Sequence, residues 1–153
     1  MVVKALKILE MSRFIVISIL VVFCSSCMAQ KTVKFSTGES KYLLNVPSGY
    51  ELREVTDYHG LKEYRLVYPD SSIIYITDDD KSGGAVNTIK AEKYGDGIYL
   101  KILSADTLDI DGMKNERYWR EQKKGKVVIG YINVPPDKKE RYDQALATIR
   151  KKK

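Results

Sequence analysis

Apolar and polar residues alternate along much of the chain, which is the pattern of β-strands with one buried face. The clearest early example is a strand over residues 41–47, where Tyr42, Leu44 and Val46 fall on one face. Pro47 and the Ser-Gly pair after it end this strand, because proline and glycine favour turns. The segment therefore predicts a half-buried strand followed by a turn.

Two further patterns predict β-hairpins. In the first hairpin, residues 63–68 and 72–77 flank the turn sequence Pro-Asp-Ser. The almost continuous apolar run from Ile73 to Ile76 is typical of a strand that is covered on both faces. The second hairpin joins 114–122 to 126–134.

Glycine refines the second hairpin and the middle of the chain. Gly130, inside the last predicted strand, indicates a bulge or a close packing partner. Asn87 can cap a short helix that runs through Tyr94 and stops at Gly95. A further strand is predicted over 98–103.

The strongest helix pattern lies at the end of the chain. Pro135-Pro136-Asp137 suits a first helical turn, and Tyr142, Ala145, Leu146 and Ile149 then form one apolar stripe. Such a stripe needs a partner surface, so we expect this helix to pack across the sheet. The predicted fold is α+β, an antiparallel sheet of five to seven strands packed against a C-terminal helix.

The order of these elements resembles the PsbP-like fold family, and the resemblance covers most of residues 41–150. The segments that carry it are 42–50, 108–112, 118–119, 128–131 and 142–149. The resemblance implies a sheet-and-helix binding or assembly module without catalysis.

The first 29 residues predict a signal for export. The apolar run 14–24 is too short to span a bilayer, follows basic residues that include Arg13, and ends in small residues. Met11 is an alternative start. The predicted organisation is a leader over 1–29 and a single globular domain over 30–153.

Two cleavage sites fit the end of the leader. The stretch Cys24-Ser-Ser-Cys27 resembles a bacterial lipoprotein box, in which Cys27 becomes the lipid-bearing first residue. An ordinary signal peptidase would instead cut after Ala29 and leave Gln30 first. The leader also resembles those of Bacteroidetes bacteria. The protein is therefore expected in the periplasm, or at the outer membrane as a lipoprotein.

The number of cysteines and the distribution of charge further narrow the class of protein. Cys24 and Cys27 are the only cysteines. Cys24 is removed with the leader, and Cys27 is either removed or acylated, so the domain is expected to have no disulfide and to depend on an ordinary hydrophobic core. The net charge is +6, but residues 28–149 carry 19 basic and 19 acidic side chains. The domain body therefore has no overall basic excess for nucleic acid. The basic tail Arg150–Lys153 is interpreted as a solvated helix end, with contact to anionic lipid as the alternative.

The sequence gives little support for a catalytic site or a metal site. His59 is the only histidine and lies in a predicted turn, so neither a nucleophile–histidine pair nor a zinc site is expected. The acidic segment 78–80 and Asp106, Asp109 and Asp111 are interpreted as solvated turns, with weak calcium contact or an acid–base pair as alternatives. No metal and no cofactor are predicted.

The aromatic residues are the candidates for binding. Tyr118, Trp119 and Tyr131 lie on the second predicted hairpin, and alternation places Tyr118 and Trp119 on opposite faces. They are interpreted either as buried sheet residues or as a recognition surface, since tyrosine and tryptophan supply rigid amphipathic contact area.

The sequence thus favours a non-catalytic cell-envelope binding or assembly module, periplasmic or held to the membrane by a lipid. Its partner would be an envelope protein or a small ligand. The alternatives are a periplasmic immunity or inhibitor protein, and a carboxylate-dependent hydrolase of envelope polysaccharide.

Overall fold

A computed structural model describes residues 29–37, 40–56, 62–77, 93–95 and 105–152. These residues form nine strands, a 3-10 turn, one helix described over its whole length, which we label α1, and the last two residues of another helix. The strands are β1 Gln30–Thr37, β2 Ser40–Pro47, β3 Glu51–Thr56, β4 Lys62–Val67, β5 Ile73–Thr77, β6 Thr107–Lys114, β7 Arg117–Lys124, β8 Val127–Val134 and β9 Arg150–Lys151. The 3-10 turn Pro136–Lys138 leads directly into α1, Lys139–Ala147.

The strands form two antiparallel sheets. Six strands make the larger sheet in the order β3-β4-β5-β8-β7-β6, and three make the smaller sheet in the order β1-β2-β9. The predicted α+β class, with an antiparallel sheet packed against a C-terminal helix, is confirmed. Both predicted hairpins are present, as β4–β5 and β7–β8.

The main core lies between α1, the smaller sheet and one face of the larger sheet. We call this face of the larger sheet the helix face. The helix contributes Tyr142, Ala145 and Leu146, which belong to the predicted stripe, and contacts both β2 and β8. The fully buried Leu44 and Val46 of β2 complete the contact. The helix therefore packs against both sheets.

The basic tail, which the sequence pattern interprets as a helix end, instead contributes a short β-strand. The helix stops at Ala147, and Thr148 turns the chain by accepting a hydrogen bond from the Asn45 backbone N–H at 2.9 Å. Arg150 and Lys151 then pair with β2, and the Lys152 N–H donates to the Lys41 carbonyl at 2.7 Å. The edge of β2 that faces away from β1 supplies the hydrogen-bonding groups for this pairing, and a local sequence pattern cannot reveal them.

A second, smaller cluster lies on the opposite face of the larger sheet. It contains Tyr75, Ile110, Trp119 and Val128. Gly130 provides the close approach that its sequence position predicts, because a Cβ there would collide with the Tyr75 hydroxyl.

Several predictions fall outside the described residues. These are residues 1–28 of the leader, His59, the acidic segment 78–80 and the strand over 98–103. Of the helix predicted from Asn87, the structure describes only the end, where Lys93 and Tyr94 are helical and Gly95 has φ +73°. No helix in the described part of the chain has the length and apolar character needed to cross a membrane.

Candidate functional site

A groove opens at one end of the molecule, where two turns meet the beginning of the helix. It has a volume of about 270 Å³. We call it the Tyr68–Tyr142 groove, and its lining residues are Pro47, Ser48, Gly49, Tyr68, Pro69, Asp70, Lys138, Arg141 and Tyr142. Pro47 ends β2, and Gly49 and Pro69 lie in the turns that follow β2 and β4, so turn residues form part of the groove.

Aromatic rings form the floor of the groove. The Tyr68 ring makes edge-to-face contacts with Tyr142 at 5.4 Å and with Tyr50 at 6.1 Å, measured between centroids. The Tyr68 hydroxyl donates to the Pro47 carbonyl at 3.0 Å. Burial raises the pKa of Tyr142 to about 12 and that of Tyr68 further. Both phenols are therefore neutral at physiological pH, and the floor is an uncharged aromatic surface.

Charged side chains line the rim of the groove. Lys138 Nζ lies 2.6 Å from an Asp70 carboxylate oxygen, and the Ser72 N–H donates to Asp70 at 3.1 Å. Burial opposes ionisation of Asp70, but the hydrogen bonds from Lys138 and Ser72 outweigh it and lower the pKa of this carboxyl. Arg141 is the second cation at the opening. The lining therefore carries two cations and one carboxylate.

The backbone beside the groove is in a sparsely populated conformation. Ser71 and Asn133 have φ values of +67° and +60°, in the left-handed region that residues other than glycine rarely adopt. The Asn133 side-chain amide donates to the Ser71 carbonyl at 3.0 Å, and Arg117 donates to the Asn133 carbonyl at 3.2 Å. Such conformations tend to cluster at functional sites, and these two lie at the groove end of the larger sheet.

The three aromatic residues singled out from the sequence do not form one exposed surface. Trp119 is 2 % exposed and contacts Tyr94 edge-to-face at 6.3 Å. Tyr131 is fully buried on the helix face, where its ring contacts Tyr142 at 5.8 Å. Tyr118 is half-buried, also on the helix face, with Lys139 Nζ 5.6 Å from its ring centroid. Tyr118 and Trp119 lie on opposite faces, as alternation predicts.

Two of the three candidate carboxylates that the structure describes, Asp109 and Asp111, are paired with cations. Arg120 binds Asp109 through two hydrogen bonds of 2.9 and 2.7 Å, and donates to Asp143 at 2.8 Å. The Arg120 hydrogen bond lowers the pKa of Asp109. Asp111 is exposed and lies 3.6 Å from Lys93 Nζ, while Asp106 is exposed at the surface. A general acid needs a raised pKa, so Asp109 is unsuited to that role.

No cation site emerges from the part of the chain that is described. Within it, no three histidine, cysteine, aspartate or glutamate side chains are grouped closely enough to hold a metal ion. The acidic segment 78–80 and His59 lie outside this part and are not placed.

Sequence reasoning missed the groove, although it found the pieces from which the groove is built. Pro47 and Pro69 were recognised as turn residues and Tyr142 as a member of the helical stripe. Their proximity follows from the pairing of strands that are distant in sequence. The one local indication was the pair of proline-containing turns, each beside a tyrosine.

No family model matches the chain, and neither a curated protein nor a solved structure shows significant similarity to it.

Proposed function

We propose that this protein is a non-catalytic binding module of the bacterial cell envelope, held at a membrane by a lipid on Cys27. The observation that carries the proposal is the Tyr68–Tyr142 groove, which combines an uncharged aromatic floor with a charged rim. Ligand sites are commonly concave and mostly apolar, with a few polar groups that fix orientation. The likeness to the PsbP-like family, which implies a binding module, points to the same class.

Support for the lipid anchor comes from the first described residue. The Ala29 carbonyl accepts a hydrogen bond from the Ser48 N–H at 3.1 Å, and β1 begins at Gln30. Cleavage before Cys27 keeps this acceptor, whereas cleavage after Ala29 removes it. Because this backbone hydrogen bond is kept, cleavage before Cys27 is favoured over cleavage after Ala29.

The hydrolase alternative receives less support from the described carboxylates. Asp143 accepts hydrogen bonds from Arg120, Lys139 and Tyr131, which outweigh its burial and lower its pKa. Asp109 and Asp143 thus share one arginine and both favour the ionised state. Glycoside hydrolysis needs one carboxyl that is protonated near neutral pH. An inhibitor or immunity protein is one form of the binding class that we favour.

Site-specific photocrosslinking in native cells tests the groove. A photoreactive phenylalanine analogue in place of the exposed Ser48, which lines the groove, should crosslink to one defined partner. The same analogue in place of Ser36 should not. Ser36 is the matched control because it is exposed and lies near the opposite end of the smaller sheet. The binding proposal fails if both positions give the same products, or if Ser48 gives none.

Metabolic labelling with an alkynyl fatty acid tests the anchor separately. We expect the wild-type protein to incorporate the label and the Cys27→Ala variant to lose it. Cys24→Ala is the matched control and should still be labelled, since residue 24 is discarded with the leader. If the wild-type protein were not labelled, the lipid anchor would be wrong, and cleavage after Ala29 with a soluble periplasmic product would be the remaining alternative.

A further inference from the structure

Strand β3 forms one edge of the larger sheet and is almost entirely exposed. Within the described residues it pairs with β4 on one side and with no strand on the other. Five of its six residues are exposed, among them Leu52, which is 53 % exposed beside its buried register partner Leu66. An edge whose backbone groups point to solvent can pair with a strand of another chain.

The hairpin of β4 and β5 indicates which backbone groups of β3 point outward. The Tyr68 N–H donates to the Ser72 carbonyl at 2.9 Å, so the backbone groups of Tyr68 face β5. Because this direction alternates along an antiparallel strand, the backbone groups of Arg65, three residues earlier, face β3. Arg53 is the register partner of Arg65 and therefore bonds to β4. Leu52, the residue before it, directs its N–H and C=O away from the sheet.

Two oppositely charged side chains flank Leu52, on the other face of the strand. Arg53 donates to Glu51 through hydrogen bonds of 3.0 and 2.8 Å, and both side chains are more than half exposed. Behind them, on β4, Arg65 forms its own ion pair with Glu63, so the neighbouring strand adds no net charge. The edge thus presents one negative and one positive position, with Leu52 between them.

We propose that β3 pairs with β3 of a second copy of this chain, in an antiparallel arrangement centred on Leu52. A two-fold axis normal to the sheet places the two Leu52 residues opposite each other and each Glu51 opposite Arg53 of the other copy. The two Leu52 residues exchange backbone hydrogen bonds, which continues the ladder across both copies. The apolar contact between them lies on the helix face, next to the core residue Leu66.

The ion pair within each copy is kept in this arrangement. Each Glu51–Arg53 pair meets the same pair in reverse order, so that the four side chains alternate in charge. Arg53 uses Nε and Nη2 for its bonds to Glu51, and a guanidinium has five N–H donors. Donors therefore remain for the carboxylate of the second copy.

Charge also selects the register. A pairing centred on Arg53 places two arginines opposite each other, and a pairing centred on Glu51 or Glu54 places two glutamates opposite each other. Like charges at directly opposite positions destabilise a sheet. Of these four registers, the one centred on Leu52 combines an apolar centre with opposite charges on both sides.

The outer edges of β6 and β1 are less suited to pairing with a second copy. At β6, the Asp111 carbonyl already accepts hydrogen bonds from the Tyr94 hydroxyl at 3.0 Å and from Lys93 at 2.5 Å. Strand β1 contains Lys31 and Lys34 and no acidic residue, so two copies would bring only positive charge together. Among these three edges, β3 is the one whose charges complement themselves.

Sedimentation equilibrium tests for the dimer, with processed protein purified from cells that express the full chain. An edge of six residues is a small interface, so we expect a monomer–dimer equilibrium that shifts with protein concentration. Because the pairing uses up the edge of β3 in both copies, we expect no larger species. A monomer at every soluble concentration would overturn the proposal.

Disulfide crosslinking tests the register. In Leu52→Cys, the two Cα atoms would lie about 5.5 Å apart, which a disulfide can bridge, so oxidised glutathione should produce a covalent dimer. Thr56→Cys is the matched control on the same strand, because the two Thr56 residues would lie roughly 27 Å apart. The wild-type chain gives the background from Cys24 and Cys27. Equal crosslinking of the two variants would overturn the register.

Charge variants test the alternating pattern. Glu51→Arg alone brings four arginines together and Arg53→Glu alone brings four glutamates together, so each variant should dimerise at least tenfold more weakly than the wild type. An equimolar mixture of the two should dimerise again, because every arginine then faces a glutamate of the other variant. Recovery in the mixture also shows that both variants are folded.

The control for the charge variants is Lys34→Glu, an exposed charge reversal on β1, which should leave dimerisation unchanged. Single variants that dimerise like the wild type, or a mixture that stays monomeric, would overturn the pairing. A photoreactive phenylalanine analogue in place of Leu52 tests the occupant in cells. We expect an adduct of two copies of this chain, and an adduct with a different protein in its place would overturn the second copy as the partner.

Discussion

Each face of the larger sheet contains a tyrosine that donates to a carboxylate, and the two pairs differ in their surroundings. On the helix face, Tyr131 donates to Asp143 at 2.9 Å, and Asp143 also accepts from two cations. On the opposite face, Tyr75 donates to Glu121 at 2.6 Å, and Glu121 is 1 % exposed. The same chemical pair thus belongs to a partly solvated ion network on one face and to a fully buried cluster on the other.

Glycine accounts for the geometry of the buried pair. Tyr75 and Glu121 are both register partners of Gly130, which lies on the strand between them. The Tyr75 ring crosses the space above Gly130 and reaches Glu121 on the next strand. On the helix face, the carboxylate partner of Tyr131 comes from α1 and not from a neighbouring strand. The helix face contains the larger apolar cluster, whereas the opposite face combines a smaller apolar cluster with the close steric fit at Gly130.

The largest expected effect is the loss of the helix contact. Leu146 is fully buried where α1 meets the core. Leu146→Ala should lower the free energy of unfolding by about 4 kcal/mol, because it removes apolar contacts and leaves a cavity. Ile110→Ala, on the opposite face and on an edge strand, should cost less, roughly 2 kcal/mol. Urea denaturation followed by circular dichroism measures both, and a reversed order would contradict the ranking of the two faces.

The next effect concerns the fit above Gly130. Gly130→Ala should cost about 3 kcal/mol, because the added Cβ meets the Tyr75 hydroxyl and the Arg120 carbonyl. Gly125→Ala is the matched control, since its Cβ would meet open space and only its φ of +61° opposes it. The control should cost about 1 kcal/mol in the same urea experiment. Equal losses would mean that the close approach of Tyr75 is not important to stability.

The features that could be predicted from the sequence are those that depend on residues close together in the chain. The stripe through Tyr142 and Leu146 is a local periodicity, and it predicts the helix correctly as far as Ala147, two residues before Ile149. The strand pairing of Arg150 and Lys151 depends on an edge of β2 more than 100 residues earlier, so no local pattern reports it. Four of the six strands of the larger sheet were predicted, whereas β3, β6 and the mostly polar β1 were not.

The candidate site illustrates the same limit. Burial of Trp119 and Tyr131 depends on what covers each face of the sheet, which alternation along one strand does not specify. The Tyr68–Tyr142 groove joins three segments that are distant in sequence. The types of its residues were visible, but their proximity was not.

A smaller effect compares the two tyrosines directly. Tyr75→Phe should cost about 2 kcal/mol and Tyr131→Phe about 1 kcal/mol, because a hydrogen bond to a carboxylate contributes more where water cannot replace it. Both rings remain, so packing changes little. Urea denaturation at neutral pH measures the difference. A larger loss for Tyr131→Phe would show that the ion network on the helix face depends on its tyrosine.

The smallest effect is the acid response of the helix-face network. The pKa values of Asp109 and Asp143 are lowered in the folded protein, so the folded state favours their ionised forms more than the unfolded chain does. Their contribution is complete above the unfolded pKa of about 4 and is lost as the pH falls through that value toward the folded pKa. Asp143→Asn should therefore destabilise the protein at pH 7 and flatten the fall of the urea midpoint below pH 4. Glu140→Gln, an exposed acid on the same helix, is the control and should keep the wild-type slope. If the Asp143→Asn variant also kept that slope, Asp143 would not be a source of the acid response, and the network on this face would contribute only through packing.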